Sequence, residues 1–168
     1  MKQLETCSVN VGDNTFYLRP FPAFKAANVF GQITTLITPI ISGLLPLVES
    51  IGGDKNVFDL NMSEAAPAIT GAFSTLSGDK LEKLLKELLI ASKNVTVDDP
   101  QTGKTVALTE DLANELFCAD TQDMFLLAWE VMKLNYSSFF KKLGDQFGAA
   151  FANLTKTKGE PSSENMGN

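Results

Sequence analysis

The chain contains no histidine. That removes the side chain most often used as a general base near neutral pH, and the commonest metal ligand. It also excludes Ser-His-Asp and Cys-His arrangements for nucleophilic catalysis. Cysteine is scarce as well. Cys7 and Cys118 stand far apart, form no CxxC, and cannot complete a zinc site without histidine. Their simplest state is a pair of reduced thiols, as in a cytosolic protein, with a bridge between them left open. Charge is also low, at 20% of residues with a net charge of −6. No basic stripe is available to displace counterions from a phosphate backbone, so a nucleic-acid partner is not expected. The nearest basic stretch, Lys80 to Lys93, is interrupted by Glu82 and Glu87. Gly52-Gly53-Asp54-Lys55 lacks the GxxxxGK[ST] pattern of a phosphate-binding loop. The opening residues, MKQLETCSVNVG, have no apolar signal core, so secretion by that route is not expected. Carboxylate pairs such as Asp120/Asp123 and Glu110/Glu115 are of a kind common in acidic proteins. No catalytic residue, cofactor or metal ligand is therefore expected, and an enzyme is the least supported class.

What the chain does have is phenylalanine, twelve of them against two Tyr and one Trp. At 168 residues and 44% apolar content it is long enough for one domain with a real core. The densest apolar stretch is 119–143, ADTQDMFLLAWEVMKLNYSSFFKKL. Asp120 or Thr121 can cap a helix there, and Asp123 suits its first turn. Phe125, Trp129, Met132, Tyr136, Phe139 and Leu143 follow at spacings of four, three, four, three and four, which puts them on one helical face. Leu127, Val131 and Leu134 widen that face, and Glu130, Lys133, Asn135, Lys141 and Lys142 make a polar back. The row can continue through Phe147 and Phe151, although Gly144 and Gly148 each weaken a helix by about 1 kcal/mol relative to Ala. Such a face is most often core; the sharper reading is a stripe or groove for a partner helix.

The rest of the chain reads as helices with two small hairpins. Residues 5–18 form the first hairpin, with a turn at Gly12-Asp13-Asn14 and alternating apolar residues on both arms. Pro20 and Pro22 then stop the strand. Ala26 to Val48 holds 23 residues without a charge, long enough to suggest a membrane span. Its six polar residues, its prolines Pro39 and Pro46, and its glycines weigh against that. A pair of helices, 24–37 and 40–51, is favoured, with Val29, Ile33, Leu36, Ile37, Ile40 and Ile41 at helical spacing. A connector follows over 54–61. Ser63 is expected to cap a helix reaching about Leu76, with Pro67 near its start. The next helix, KLEKLLKELLIASK, carries Leu81, Leu84, Leu85, Leu88 and Leu89 on one face, with an i,i+4 pair of Glu82 and Lys86. Residues 95–108 give the second hairpin. Adjacent Asp98 and Asp99 are better read as turn chemistry than as a cation site. Thr109 caps a short helix, EDLANELF. From about Thr155 the sequence loses apolar periodicity and is expected to be a disordered tail, leaving 1–154 as a single mostly helical domain. The fold class is thus mainly α.

Two segments together resemble the tail assembly chaperones of long-tailed bacteriophages. The first is Leu18-Arg19-Pro20-Phe21-Pro22-Ala23-Phe24-Lys25-Ala26, after a short strand. The second runs from Glu115-Leu116-Phe117-Cys118 to Asp120, then Trp129-Glu130-Val131, and ends in Asn135-Tyr136-Ser137-Ser138-Phe139-Phe140. The late pattern in that family is Val, three residues, Asn, an aromatic, two residues, Phe-Phe. Val131, Asn135, Tyr136, Phe139 and Phe140 occupy it, with Tyr136 where Phe is expected. The resemblance covers about residues 8–145.

It implies a protein of the host bacterial cytoplasm that binds the tape measure protein and keeps it soluble until tube subunits polymerise around it. It further implies self-association or a longer form made by ribosomal frameshifting. The contact or self-association surface is then expected to include Phe125, Trp129, Met132, Tyr136, Phe139 and Phe140, or the stripe of Val29, Ile33, Leu36 and Ile40. Asn135 reads equally as a hydrogen-bonding residue at or between helices and as a solvated amide. The alternatives are a structural component of the phage tail or neck retained in the virion, and a membrane-active helical protein using 26–48.

Overall fold

Gly12 closes the first hairpin because it can hold φ +56, a conformation L side chains avoid. A positive φ at the first of two turn residues suits the right-handed twist of the flanking strands. The computed structural model describes residues 5–34 and 62–157, with side chains described within 5–34, over 65–139 and at Lys142. Strands β1 (Cys7–Val11) and β2 (Asn14–Leu18) pair antiparallel, with Val11 opposite Asn14. The second hairpin, β3 (Val95–Asp98) and β4 (Thr105–Ala107), also pairs antiparallel. The two hairpins are not separate. β2 pairs with β3, Phe16 facing Val97 and Leu18 facing Val95, to give one four-stranded sheet in the order β1-β2-β3-β4. Val11, Phe16, Leu18, Val95 and Val97 are buried on one side, as period-two alternation requires. On the other side the Asp98 carboxylate accepts from the Tyr17 hydroxyl at 3.0 Å and from Thr105 Oγ1 at 2.6 Å, which links β2, β3 and β4.

Asp99 completes the turn chemistry expected of the Asp-Asp-Pro loop. It accepts from Gln101 N at 2.9 Å and from Thr102 Oγ1 at 2.7 Å. Those two bonds, that of Thr102 foremost, hold its carboxyl below the ordinary aspartate value.

Helices cover the buried side of the sheet. A first helix, α1, is described over 23–34, and its opening bond runs from Ala26 N to Pro22 O at 2.8 Å. Then come α2 (Met62–Phe73), α3 (Gly78–Leu89), α4 (Glu110–Phe117) and α5 (Thr121–Thr157). α2 begins one residue before the expected cap Ser63, and contains Pro67. α3 buries Leu84, Leu85, Leu88 and Leu89, the face its spacing predicts. Thr109 caps α4, its Oγ1 accepting from Leu112 N at 3.2 Å. The Phe117 ring stacks on Phe16 with centroids 5.8 Å apart, which fixes α4 to the sheet. The architecture is mainly α with small β-hairpins, as the sequence indicates.

α5 departs from expectation in two respects. It runs on through Gly144 and Gly148 to Thr157, so the weakening at those glycines does not end it, and residues 155–157 are helical. It is also buried on every side over 125–132. Glu130, placed by periodicity on a polar back, is only 6% exposed and bonds Lys133 at 2.6 Å. A helix enclosed by neighbours all round has no solvated back over that stretch.

The chain divides into two units, Met1–Asn135 and Tyr136–Asn168. The expected helix 40–51, the connector 54–61, most of the uncharged run 26–48 and the tail beyond Thr157 lie outside the described residues. Among the described residues no helix is long and apolar enough to cross a membrane.

Candidate functional site

The residues put forward from sequence fall into three groups. Phe125, Trp129 and Met132 are buried in the first unit, with exposures of 8%, 5% and 1%. Phe125 stacks on Phe73 of α2 with centroids 5.4 Å apart. Val29 and Ile33 of α1 are likewise buried. In the second unit Tyr136 is buried and Phe139 is 40% exposed. Burial pushes the Tyr136 hydroxyl up to about 12. The backbone of Phe140 belongs to α5; its side chain, with Leu36 and Ile40, lies outside the described residues.

Two of these clusters border open concavities on either flank of α3. On the α1 side a groove of about 330 Å³ is lined by Val29, Ile33 and Leu84, with Lys80, Lys83 and Glu87 at its edge. Glu87 is held by Lys25 of α1 at 2.8 Å. On the other side a groove of about 270 Å³ runs between α3, α4 and the start of α5. Its apolar lining is Leu81, Leu85, Leu89, Ile90, Ala113, Met124 and Phe125. Leu85, Leu89 and Phe125 form a buried floor, and Leu81, Ile90 and Met124 are half-buried walls. Lys86 spans this groove, 2.8 Å from Glu82 of its own helix and 2.8 Å from Glu110 of α4. Those carboxylates, Glu110 foremost, raise the Lys86 ammonium well above its ordinary value, and Lys86 holds Glu82 below its own.

The segments at the two ends of this arrangement are tied together. The Phe21 N–H donates to Asn135 Oδ1 at 2.7 Å, and Asn135 Nδ2 donates to Val131 O at 2.8 Å. Asn135 is therefore a hydrogen-bonding residue between α5 and the approach to α1. Phe21 is buried, whereas Phe24, three residues on, is 95% exposed. Phe24 was not among the candidate residues. The signal was available: at about 100° per residue it lies about 140° away from Val29 around α1, off the buried face.

Chemistry-bearing clusters are sparse. Both cysteines are exposed and free. Among the described residues no group of three or more Asp, Glu or Cys is placed to hold a metal ion. Asp123 at the start of α5 has a carboxyl raised by partial burial, then by the charges of Asp120 and Asp13. The arrangement offers apolar concavities with charged edges.

A protein-family model described as "Phage tail assembly chaperone protein, TAC" matches residues 12–149. No curated protein and no solved structure matches the chain.

Proposed function

Because the chain belongs to the phage tail assembly chaperone family, with a role in tail assembly inside the host cell, we propose that its client is the tape measure protein. The chain binds that long helical polypeptide in the host cytoplasm and holds it soluble until tube subunits polymerise around it. The role is one of binding, without catalysis and without a nucleic-acid or membrane partner. The observation that carries this reading is the family match over most of the chain. It is joined by the bond between Phe21 and Asn135, which links the two segments whose sequences resemble that family.

Physical chemistry supports the reading. An unassembled tape measure chain exposes apolar stripes that aggregate. Leu, Met and Phe surfaces make adaptable contacts with such stripes. Many copies on one client, self-associated or joined by a longer frameshifted form, convert modest affinity into stable retention. Net charge of −6 keeps the loaded assembly dispersed. Of the residues put forward as contacts, Phe125 lies in the buried floor of a groove, and Phe139, at 40% exposed, is open to a client as the chain stands.

The test is co-expression with the long helical protein encoded beside this gene, followed by a pull-down from the soluble fraction. Soluble client co-purifying with several copies of the chain is the expected result. Client that stays insoluble, with this chain and with any frameshifted form, overturns it. Mass spectrometry of purified particles separates the structural alternative, which requires the chain at stoichiometric level in the virion.

A further inference from the structure

The groove between α3, α4 and α5 has a composition that the sequence pattern did not single out. Its apolar part includes Leu81, Leu85, Leu89, Ile90, Met124 and Phe125. A volume of about 270 Å³ is room for one or two bulky side chains rather than a whole helix. The charge around it is one-sided. No lysine or arginine occurs between Lys104 and Lys133, so α4 and the first part of α5 carry carboxylates alone. Glu110, Asp111, Glu115, Asp120 and Asp123 all stand there. Of the described residues that line the groove, Lys86 is the single cation, and it is shared between Glu82 and Glu110. The groove edge therefore keeps an excess of negative charge.

We propose that this groove is the anchor site for the client, receiving a bulky apolar side chain of a client helix that carries lysine or arginine beside it. The occupant rests on the tape measure reading above. The chemistry follows from complementarity: an apolar knob fills the floor, and a neighbouring cation meets Glu82 and Glu110 beside the wall that α4 and α5 form. Met124, half-buried on that wall, lets knobs of different shape seat in one site. A long helical client then offers many such anchors, each weak and each releasable.

The experiment uses the full chain and two labelled helical peptides of one leucine pattern, one flanked by lysines and the other by glutamates. Fluorescence anisotropy should show the lysine peptide bound at least about tenfold more tightly. The preference should shrink as salt rises. Glu82→Gln with Glu110→Gln should remove it. Glu5→Gln with Glu164→Gln, the same change in net charge, should leave it intact. Met124→Asp should weaken the lysine peptide by about tenfold or more, with circular dichroism confirming the fold. Equal affinity for the two peptides, or a preference untouched by the groove variants, overturns the anchor site. The same variants are then co-expressed with the tape measure protein. Rescue by the original chain and equally by folded groove variants overturns the groove and leaves the chaperone reading standing. Failure of the original chain to rescue overturns the chaperone reading, while the peptide measurements still decide the groove's preference.

Discussion

Asn135 of α5 accepts a hydrogen bond from the backbone N–H of Phe21 at 2.7 Å, across 114 positions of sequence. Phe21 lies two residues before the described start of α1. The same amide donates to Val131 O, so its orientation is set from within α5. Asn135→Ala leaves the Phe21 N–H without that acceptor and is expected to cost about 1–2 kcal/mol. Asn135→Asp keeps an acceptor, loses only the donor to Val131, and is expected to cost less. Urea unfolding of the two variants against the original chain checks the order. Equal losses would mean that the Phe21 bond contributes nothing.

Two turn positions should respond in opposite directions. Gly12 holds φ +56, and a Cβ built there would collide with Asp123 Oδ2. The carboxylate can swing aside, so the backbone is the main penalty. Gly12→Ala is expected to destabilise by about 1 kcal/mol. Lys93 sits at φ 48 without being glycine. Lys93→Gly removes that strain, offset in part by the extra freedom of the unfolded chain, and is expected to stabilise by about 0.5 kcal/mol. Thermal melts of both variants decide the signs.

The local pattern made much of this fold legible, and its limits have physical causes. Alternation in Phe16 and Leu18, and in Val95 and Val97, marks strands whichever way they pair. That the two hairpins share one sheet depends on β2 meeting β3 across more than seventy residues, which no short window contains. Glu130 shows a second limit. Periodicity tells which residues share a face, but not how many sides of a helix have neighbours, and over 125–132 all sides do. The groove illustrates a third. Leu85, Leu89 and Phe125 are plainly apolar in the sequence; that α4 stands beside α3 with a concavity between them is a property of packing. Asn135, by contrast, stood out as a polar residue beside an aromatic row, and its partner became known only from the fold.

The two aromatic residues Trp129 and Phe139 should separate core from surface. Trp129 is 5% exposed and Phe139 is 40% exposed. Trp129→Asp places an unpaired carboxylate where an indole was buried, and is expected to abolish cooperative unfolding. Phe139→Asp is expected to leave the circular dichroism spectrum and melting midpoint close to the original. If folded Phe139→Asp then fails to keep the client soluble, Phe139 belongs to the contact surface. Undiminished rescue would remove it from that surface. A folded Trp129→Asp chain would show that the buried helix tolerates charge and that its face is not core.

The Tyr136 hydroxyl carries a pH dependence that phenylalanine would lack. Burial raises its folded value from 10.0 to about 12. The folded chain thus holds the neutral phenol while the unfolded chain releases the proton. Stability from this residue is complete below pH 10.0, and declines as pH rises from there until the folded phenol itself ionises near about 12. Tyr17 shifts in the same direction, through its bond to Asp98 and the charge of that carboxylate, and is present in both chains compared. Urea midpoints of the original chain are expected to fall across that window more steeply than those of Tyr136→Phe. The two chains should differ little near neutral pH, because the ring packing is kept. Parallel curves would show that the Tyr136 hydroxyl reaches solvent and ionises as freely folded as unfolded.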